Sequence, residues 1–211
     1  MPQPRLVYVA DSNSNKLKLV PGQQLEAKNY VALSHCWGKL TDEEKQQFCT
    51  AQQNINRREK GFNISDLPRT FQDDVEVTRR LDLQYIWIDS LCIIQGEGGD
   101  WEEEAQRTED VYASAYLTLA ASSAVDLKSG FLERIVNSEY IYTQDGSDRQ
   151  VHECIDVEDF DNHVEKAQLN TRAWVMQERF LSCRTIHFSA GRTYWECGRG
   201  VYYKDLTRLT T

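Results

Sequence analysis

The chain has 211 residues, 40% of them hydrophobic, and its 24 basic against 33 acidic residues give a net charge of −9. This length supports one substantial core, so we expect a single domain over residues 1–211. The negative charge argues against nucleic-acid binding. No apolar stretch reaches the length of a membrane span and the N-terminus lacks a signal-peptide pattern, so we expect a cytoplasmic protein.

The six cysteines form no C-x-x-C pair, and several lie in apolar runs, where a thiol behaves as a small hydrophobe. We therefore expect reduced thiols. The spacing of His152, Cys154 and His163 matches no zinc-finger pattern, so we expect no metal site and no resident cofactor.

The first third of the chain predicts a hairpin, a buried strand and a polar excursion. Residues 6–9 and 16–20 flank a cluster of turn formers, which favours an opening β-hairpin. The run Tyr30-Val-Ala-Leu-Ser-His-Cys-Trp-Gly38 indicates a buried strand closed by glycine. The polar segment 39–65 has helical character over residues 42–55.

A helix is predicted to begin at Pro68, with Ser65 or Asp66 capping its free amides. Its apolar positions recur at helical spacing and are Phe71, Val75, Thr78 and Leu81. The following run over residues 85–95 is nearly all apolar, which predicts a strand buried on both faces.

Asp89 lies in the middle of that apolar run. An ionised carboxylate in apolar surroundings costs several kcal/mol unless hydrogen bonds or a counter-charge compensate. Such a residue often lies at the carboxyl end of a central strand, where α/β proteins bind ligands. The alternative is that Asp89 ends the strand and braces a neighbouring loop.

The next elements complete a strand-helix alternation. Asp100-Trp-Glu-Glu103 fits a capping box for a helix over residues 100–115, and a strand follows at 116–121. This rhythm predicts right-handed crossovers and a three-layer α/β fold, with a mainly parallel sheet and helices on both faces. Residues 125–170 are predicted to form an insertion. It contains a hairpin whose strands are residues 140–143 and 151–155, joined by a turn around Asp145-Gly146. A helix over 172–181 and two strands, 185–188 and 193–197, follow.

Glu178 shares a helical face with Trp174 and Leu181, because residues three and four apart stack along the axis. This arrangement suits the rim of a pocket for an aromatic or cationic ring. The alternative is that Glu178 pairs with Arg172 or Arg184 and ties the helix to the sheet.

Ser34, His35 and Trp37 close the first buried strand. If the strands are parallel, this end lies on the same sheet edge as Asp89 and forms a second wall of the pocket. A Cys36–His35 nucleophile is disfavoured, because adjacent strand residues point to opposite faces. The loop Gly96-Glu-Gly-Gly99 lacks the lysine of a phosphate-binding loop and predicts a turn.

Three blocks of the sequence resemble the fungal heterokaryon incompatibility (HET) domain. The first is the run at residues 30–38. The second is Leu67-Pro-Arg-Thr-Phe-Gln-Asp-Asp-Val75 together with Tyr85-Ile-Trp-Ile-Asp-Ser-Leu-Cys-Ile-Ile-Gln95 and the helix after it. The third is Arg172-Ala-Trp-Val-Met-Gln-Glu-Arg179. The core of the resemblance spans about residues 30–197, with a variable insertion at about 125–170. His35 replaces a frequent tyrosine, and Asp82 a frequent glycine.

The resemblance implies an effector domain of fungal non-self recognition that causes programmed cell death. Its trigger is a partner incompatibility protein or an NLR-type protein. The family is distantly similar to Toll/interleukin-1 receptor (TIR) domains, which implies a flavodoxin-like sheet. Many TIR domains cleave NAD with a glutamate four residues after a tryptophan, and Trp174 and Glu178 have that spacing.

Two hypotheses follow from the resemblance. In the first, the domain is an enzyme that cleaves NAD or a related nucleotide, with Glu178 as the catalytic carboxylate and NAD as substrate. The substrate-binding residues would then be Ser34, His35, Trp37, Asp89, Arg172 and Trp174. In the second, the domain is a non-catalytic module that acts by self-association into a homo-oligomer or by binding a partner protein.

Overall fold

The computed structural model describes residues 4–10, 14–22, 29–133, 140–144, 150–154 and 160–203. The strands are β1 (Leu6–Tyr8), β2 (Lys16–Val20), β3 (Val31–Ser34), β4 (Phe62–Asn63), β5 (Tyr85–Trp87), β6 (Leu117–Ala120), β7 (Tyr140–Gln144), β8 (Gln150–Cys154), β9 (Arg184–Phe188), β10 (Thr193–Cys197) and β11 (Gly200–Tyr203). The helices are α1 (Asp42–Phe48), α2 (Ile55–Lys60), α3 (Arg69–Arg80), α4 (Asp89–Cys92), α5 (Trp101–Ala105), α6 (Thr108–Ser114) and α7 (Ala173–Leu181).

Nine of these strands form one mixed sheet in the order β11-β10-β9-β6-β3-β5-β1-β2-β4. Its centre, β9-β6-β3-β5, is parallel. The strands at both edges are added antiparallel, including the opening β1–β2 hairpin. The predicted α/β fold with a mainly parallel core is therefore confirmed. The β7–β8 hairpin forms a separate sheet within the predicted insertion, and its predicted Asp145-Gly146 turn lies outside the described residues.

The centre of the sheet is buried on both faces. Every residue of β3 and β6 is buried, and the two strands pair in parallel from Val31 with Leu117 to Ser34 with Ala120. Strands covered on both faces need continuous apolar sequence rather than alternation, which explains the apolar runs in both segments.

Helices pack on both faces of the sheet. Trp87 of β5 meets Tyr112 of α6 edge-on, with ring centroids 5.5 Å apart. On the other face, His35 meets Phe71 of α3 edge-on at 5.1 Å. Because side chains alternate along an extended chain, Ser34 points toward α7 while His35 points toward α3.

The predicted strand over residues 85–95 is shorter than expected. It ends at Trp87, and Asp89 begins the helical turn α4, in which the Ser90 amide donates to Asp89 Oδ1 at 2.6 Å. Residues 91–94 are buried. A short apolar run is equally consistent with a buried strand and with a buried helical turn, so the sequence did not distinguish the two. Asp89 thus lies at the strand end rather than within the strand.

At the starts of two predicted helices, the observed capping differs from the predicted capping. Pro68 is the N-cap of α3, and Asp66 instead accepts from the Asn63 amide at 3.3 Å in a 3-10 turn. Asp100 is the N-cap residue of α5, but its side chain makes no capping hydrogen bond, because Oδ1 accepts from the Ile94 amide at 2.8 Å and Oδ2 pairs with Arg5.

Two predicted helices are each divided. Residues 42–55 contain α1, and α2 begins only at the end of that range. The predicted helix over 100–115 breaks between Ala105 and Thr108 into α5 and α6. Asp82, where the resembled family often has glycine, has φ 56, which lies in the left-handed region.

Five cysteines are free: Cys36, Cys49 and Cys92 are buried, Cys183 is exposed and Cys197 is intermediate. Among the described residues, no helix is both long and apolar enough to cross a membrane.

Candidate functional site

Two neighbouring parallel strands end beside each other at the site. The register pairs Ala32 of β3 with Trp87 of β5. Ser34 is the last residue of β3, and Asp89, two residues after the end of β5, begins α4. Both side chains therefore lie at the edge of the sheet where α/β proteins bind ligands.

Glu178 of α7 lies against this edge. Ser34 Oγ donates to Glu178 Oε2 at 2.5 Å. The Tyr112 hydroxyl donates to Leu33 O at 3.1 Å, and its proximity helps to lower the pKa of the Glu178 carboxyl. The pKa of Glu178 is raised to about 7, chiefly by burial and also by the charge of Asp89, although the Ser34 hydrogen bond and the Arg172 charge oppose the rise.

Asp89 is held by two donors. Trp37 Nε1 donates to Asp89 Oδ2 at 2.9 Å, and the Ser90 amide donates to Oδ1. His35 Nε2 lies 3.7 Å from Oδ1, which exceeds hydrogen-bond distance. Burial lowers the pKa of His35, so the imidazole is neutral near pH 7. Asp89 therefore has both properties considered from sequence: it braces its own turn and faces the ligand edge.

Arg172 immediately precedes α7 and crosses to β3. Its Nη1 donates to His35 O at 2.7 Å. Arg184 donates to Tyr116 O at 3.2 Å and stacks over the Tyr116 ring. Neither arginine therefore donates a hydrogen bond to Glu178. The alternative, in which Glu178 pairs with Arg172 or Arg184 and ties the helix to the sheet, does not match these contacts.

One cavity of about 380 Å³ joins these groups. Asp89 and Glu178 both line it, from different elements. Its walls are largely aromatic and amide side chains, with a few charges. The lining also includes Trp37, Trp87, Trp101, Glu109, Tyr112, Arg172 and Trp174.

The structure divides the residues predicted from sequence into two groups. Glu178, Asp89, Trp37, Arg172 and Trp174 line the cavity. Ser34 and His35 are buried and lie behind it. Ser34 lies behind because its hydroxyl bonds the Glu178 carboxylate, and His35 lies behind because its ring packs toward α3.

Most of the other lining residues were not predicted, among them Trp101, Glu109 and Tyr112. All three fall in the helix predicted over residues 100–115, which was not assigned to a site. The break between α5 and α6 turns Trp101 and Tyr112 toward one cavity. The available signal was Trp101, which lies at helical spacing with the apolar residues of this segment and beside several acidic residues.

The opposite side of α7 is fixed by a separate ion cluster. Arg179 holds Glu196 through two nitrogens, at 2.6 and 2.9 Å, and reaches Glu165 at 2.8 Å. His187 Nε2 lies 2.8 Å from Glu196. Burial alone would raise the pKa of Glu196, but the hydrogen bonds from His187 and Arg179 lower it to about 2. This clamp holds α7 to β9 and β10 and so sets the position of Glu178.

Within the described residues, no group of three or more His, Cys, Asp or Glu side chains could hold a metal ion. The fold and the cavity define an α/β domain with an acidic, tryptophan-rich cleft at its strand ends. The model of the heterokaryon incompatibility protein (HET) family matches residues 30–178 of the chain. The chain therefore belongs to the HET family, and membership implies a role in heterokaryon incompatibility.

Comparisons with curated proteins and with solved structures found no match. The similarity to TIR domains therefore remains a hypothesis that rests on the sheet type and on the spacing of Trp174 and Glu178.

Proposed function

We propose that the chain is a cytoplasmic effector of fungal non-self recognition that causes cell death by hydrolysing the N-glycosidic bond of NAD. A partner incompatibility protein or an NLR-type protein would trigger it. The observation that carries the proposal is the placement of Asp89 and Glu178 on one aromatic cavity. A shared fold does not imply a shared activity, so this site is the basis of the proposal.

The reaction needs an anionic group beside the ribose. The bond between C1′ of the ribose and the pyridinium nitrogen breaks, and its electron pair leaves with neutral nicotinamide. Positive charge then develops on the ribosyl group, which an ionised carboxylate stabilises, as in glycoside hydrolysis. Water adds to C1′ and releases a proton. The leaving group needs no proton, so Glu178 acts in its ionised form.

The surroundings of Glu178 suit this role. Ser34 fixes one carboxylate oxygen with a hydrogen bond of 2.5 Å. Asp89 lines the same cavity, where it can accept a ribose hydroxyl. The ring of Trp174 lies one helical turn before Glu178 and offers a face to the pyridinium.

Nicotinamide release by the purified protein tests the proposal. Wild type should release nicotinamide from NAD, and Glu178→Gln should lower kcat by about a hundredfold or more, as loss of a charge-stabilising group does. Glu76→Gln is a matched control, because Glu76 lies on α3 and pairs with Arg80 on the surface. Equal turnover by wild type and Glu178→Gln would remove Glu178 from the mechanism.

A second function is favoured by one observation on α7. Met176 and Phe180 lie one turn apart, 73% and 88% exposed, and neither lines the cavity. Exposed apolar pairs of this kind suit protein contact, so the alternative is a non-catalytic module that self-associates or binds a partner. Met176→Ser with Phe180→Ser should then abolish toxicity and assembly while Glu178→Gln leaves both unchanged. Light scattering and a toxicity assay on the two variants distinguish the functions.

A further inference from the structure

The charge of the cavity is predominantly negative. Asp89, Glu109 and Glu178 line it, and Arg172 is the only basic lining residue in the described part of the chain. The Arg172 guanidinium already donates to His35 O, so part of its donor capacity is used within the protein. The chain as a whole carries −9. A phosphate entering this cavity would therefore meet net repulsion.

The aromatic content of the cavity is high. Four of the five tryptophans of the chain line it: Trp37, Trp87, Trp101 and Trp174. Trp101 and Trp174 are 55% and 65% exposed, although large aromatic side chains are usually more buried. Their ring faces are available at the rim. Aromatic faces beside carboxylates form a site for a flat cation.

The size of the cavity is limited. Its volume of about 380 Å³ lies near the lower end of the range of about 300–1,000 Å³ for ligand pockets. This volume suits a nucleoside better than a dinucleotide.

We propose that the cavity recognises the cationic pyridinium and its ribose, and that it rejects phosphate, so that the phosphates of any larger nucleotide stay outside. The preferred ligand class is thus a phosphate-free N-ribosyl pyridinium. The choice of ligand rests on the proposed function, but the inference concerns binding and is tested by binding.

Charge selectivity is measured first, by calorimetric titration of the wild type. The probes are 1-methylnicotinamide, which is a cation without a glycosidic bond, and neutral nicotinamide. The cation should bind at least about tenfold more tightly, because it gains cation–π and carboxylate contacts. Equal affinity for the two probes would overturn the inference.

Phosphate rejection is measured with nicotinamide riboside and nicotinamide mononucleotide on the Glu178→Gln variant, which should not consume them. The riboside should bind about three- to tenfold more tightly in low salt, with the ratio falling as salt screens the charges. Equal or tighter binding of the mononucleotide would overturn the inference.

A charge reversal at the rim localises the effect. Glu109 is exposed on α6 and lines the cavity, so Glu109→Lys should abolish or invert the preference for the riboside. Glu43→Lys makes the same charge change on exposed α1, away from the cavity, and should leave the preference intact. Identical ratios in the two variants would contradict the inference.

The inference and the proposed function can fail separately. If 1-methylnicotinamide binds more tightly than nicotinamide and the riboside more tightly than the mononucleotide, but no nicotinamide is released from any substrate, the inference stands and the enzymatic function fails. If NAD is hydrolysed but riboside and mononucleotide bind equally, the function stands and the inference is wrong.

Discussion

Ser34 Oγ lies 2.5 Å from Glu178 Oε2, although 144 positions of sequence separate the two residues. This contact joins the end of the central strand β3 to the cavity face of α7. Burial of the carboxylate at this junction raises the pKa of Glu178 to about 7. Two consequences of this raised pKa can be measured on variants of the chain.

The pH profile of hydrolysis should follow ionisation of Glu178. Because the ionised form is active, kcat/KM should rise with pH, with a midpoint near the Glu178 pKa of about 7, and then reach a plateau. The negative charge of Asp89 raises this pKa, so Asp89→Asn should move the midpoint to lower pH. Arg172→Gln should move it to higher pH, since the Arg172 charge lowers the pKa. Activity that falls as pH rises through 7 would assign the active form to the protonated acid.

Glu178→Gln should stabilise the protein at alkaline pH. Its folded-state pKa is raised from 4.5 to about 7, so the native state keeps a proton that the unfolded chain releases. Wild type therefore loses stability as pH rises from about 4.5 to 7, by an amount of order 1–3 kcal/mol, and stays at the lower level above that range. The variant lacks this loss. Urea unfolding of both proteins at pH 4.5 and pH 8 measures the difference, and a constant difference would contradict the prediction.

Replacing Asp74 and Asp73 of α3 by asparagine should change the stability of the fold in opposite directions. Asp74 is fully buried, and neither of its oxygens has a hydrogen-bond partner among the described residues. Burial, aided by Asp73, raises the pKa of Asp74 well above its usual value. Wild type thus loses stability as pH rises above the unfolded-state pKa of about 4. Asp74→Asn removes that loss, so it should gain stability relative to wild type between pH 4 and pH 7.

Asp73 provides the matched comparison. Its Oδ2 accepts from the Phe131 and Leu132 amides at 2.7 and 3.0 Å, and its Oδ1 pairs with Arg69 at 3.0 Å. Asp73→Asn should therefore destabilise the fold by about 1–3 kcal/mol at pH 7. Thermal or urea unfolding measures both variants. A destabilisation of Asp74→Asn equal to that of Asp73→Asn at pH 7 would show that Asp74 has a stabilising partner.

Two tryptophans of the cavity should separate binding from stability. Trp174 is 65% exposed, so Trp174→Ala should change stability by less than about 1 kcal/mol but weaken binding of 1-methylnicotinamide about three- to thirtyfold. Trp87 is 1% exposed and packs on Tyr112, so Trp87→Ala should cost about 3–5 kcal/mol of unfolding free energy. Unchanged affinity in Trp174→Ala would remove the rim ring from recognition.

The sequence predicted the sheet centre well because its strands are continuously apolar. The β3 and β6 segments have no competing helical period, and the strand-helix rhythm then required parallel crossovers. The edge strand β11, Gly200–Tyr203, was not predicted. It pairs with β10 in a tight hairpin across Gly198 and Arg199, so the signal that was missed is a local one.

The cavity was predicted only in part. Trp174 and Glu178 share a helical face, which periodicity reveals directly. The contribution of Tyr112 depends on how α6 packs against β5 and α7, and the sequence does not contain that geometry. Ser34 was placed at the correct sheet edge, but its partner could not be foreseen, because two parallel strands and a distant helix must meet to form the contact.

The cellular NAD pool after induced expression of the chain tests the central claim most directly. The account predicts that wild type depletes NAD before cells lose viability, while Glu178→Gln, expressed at the same level, preserves both NAD and growth. Cells that die with an intact NAD pool, or that die equally when Glu178 is replaced, would contradict it.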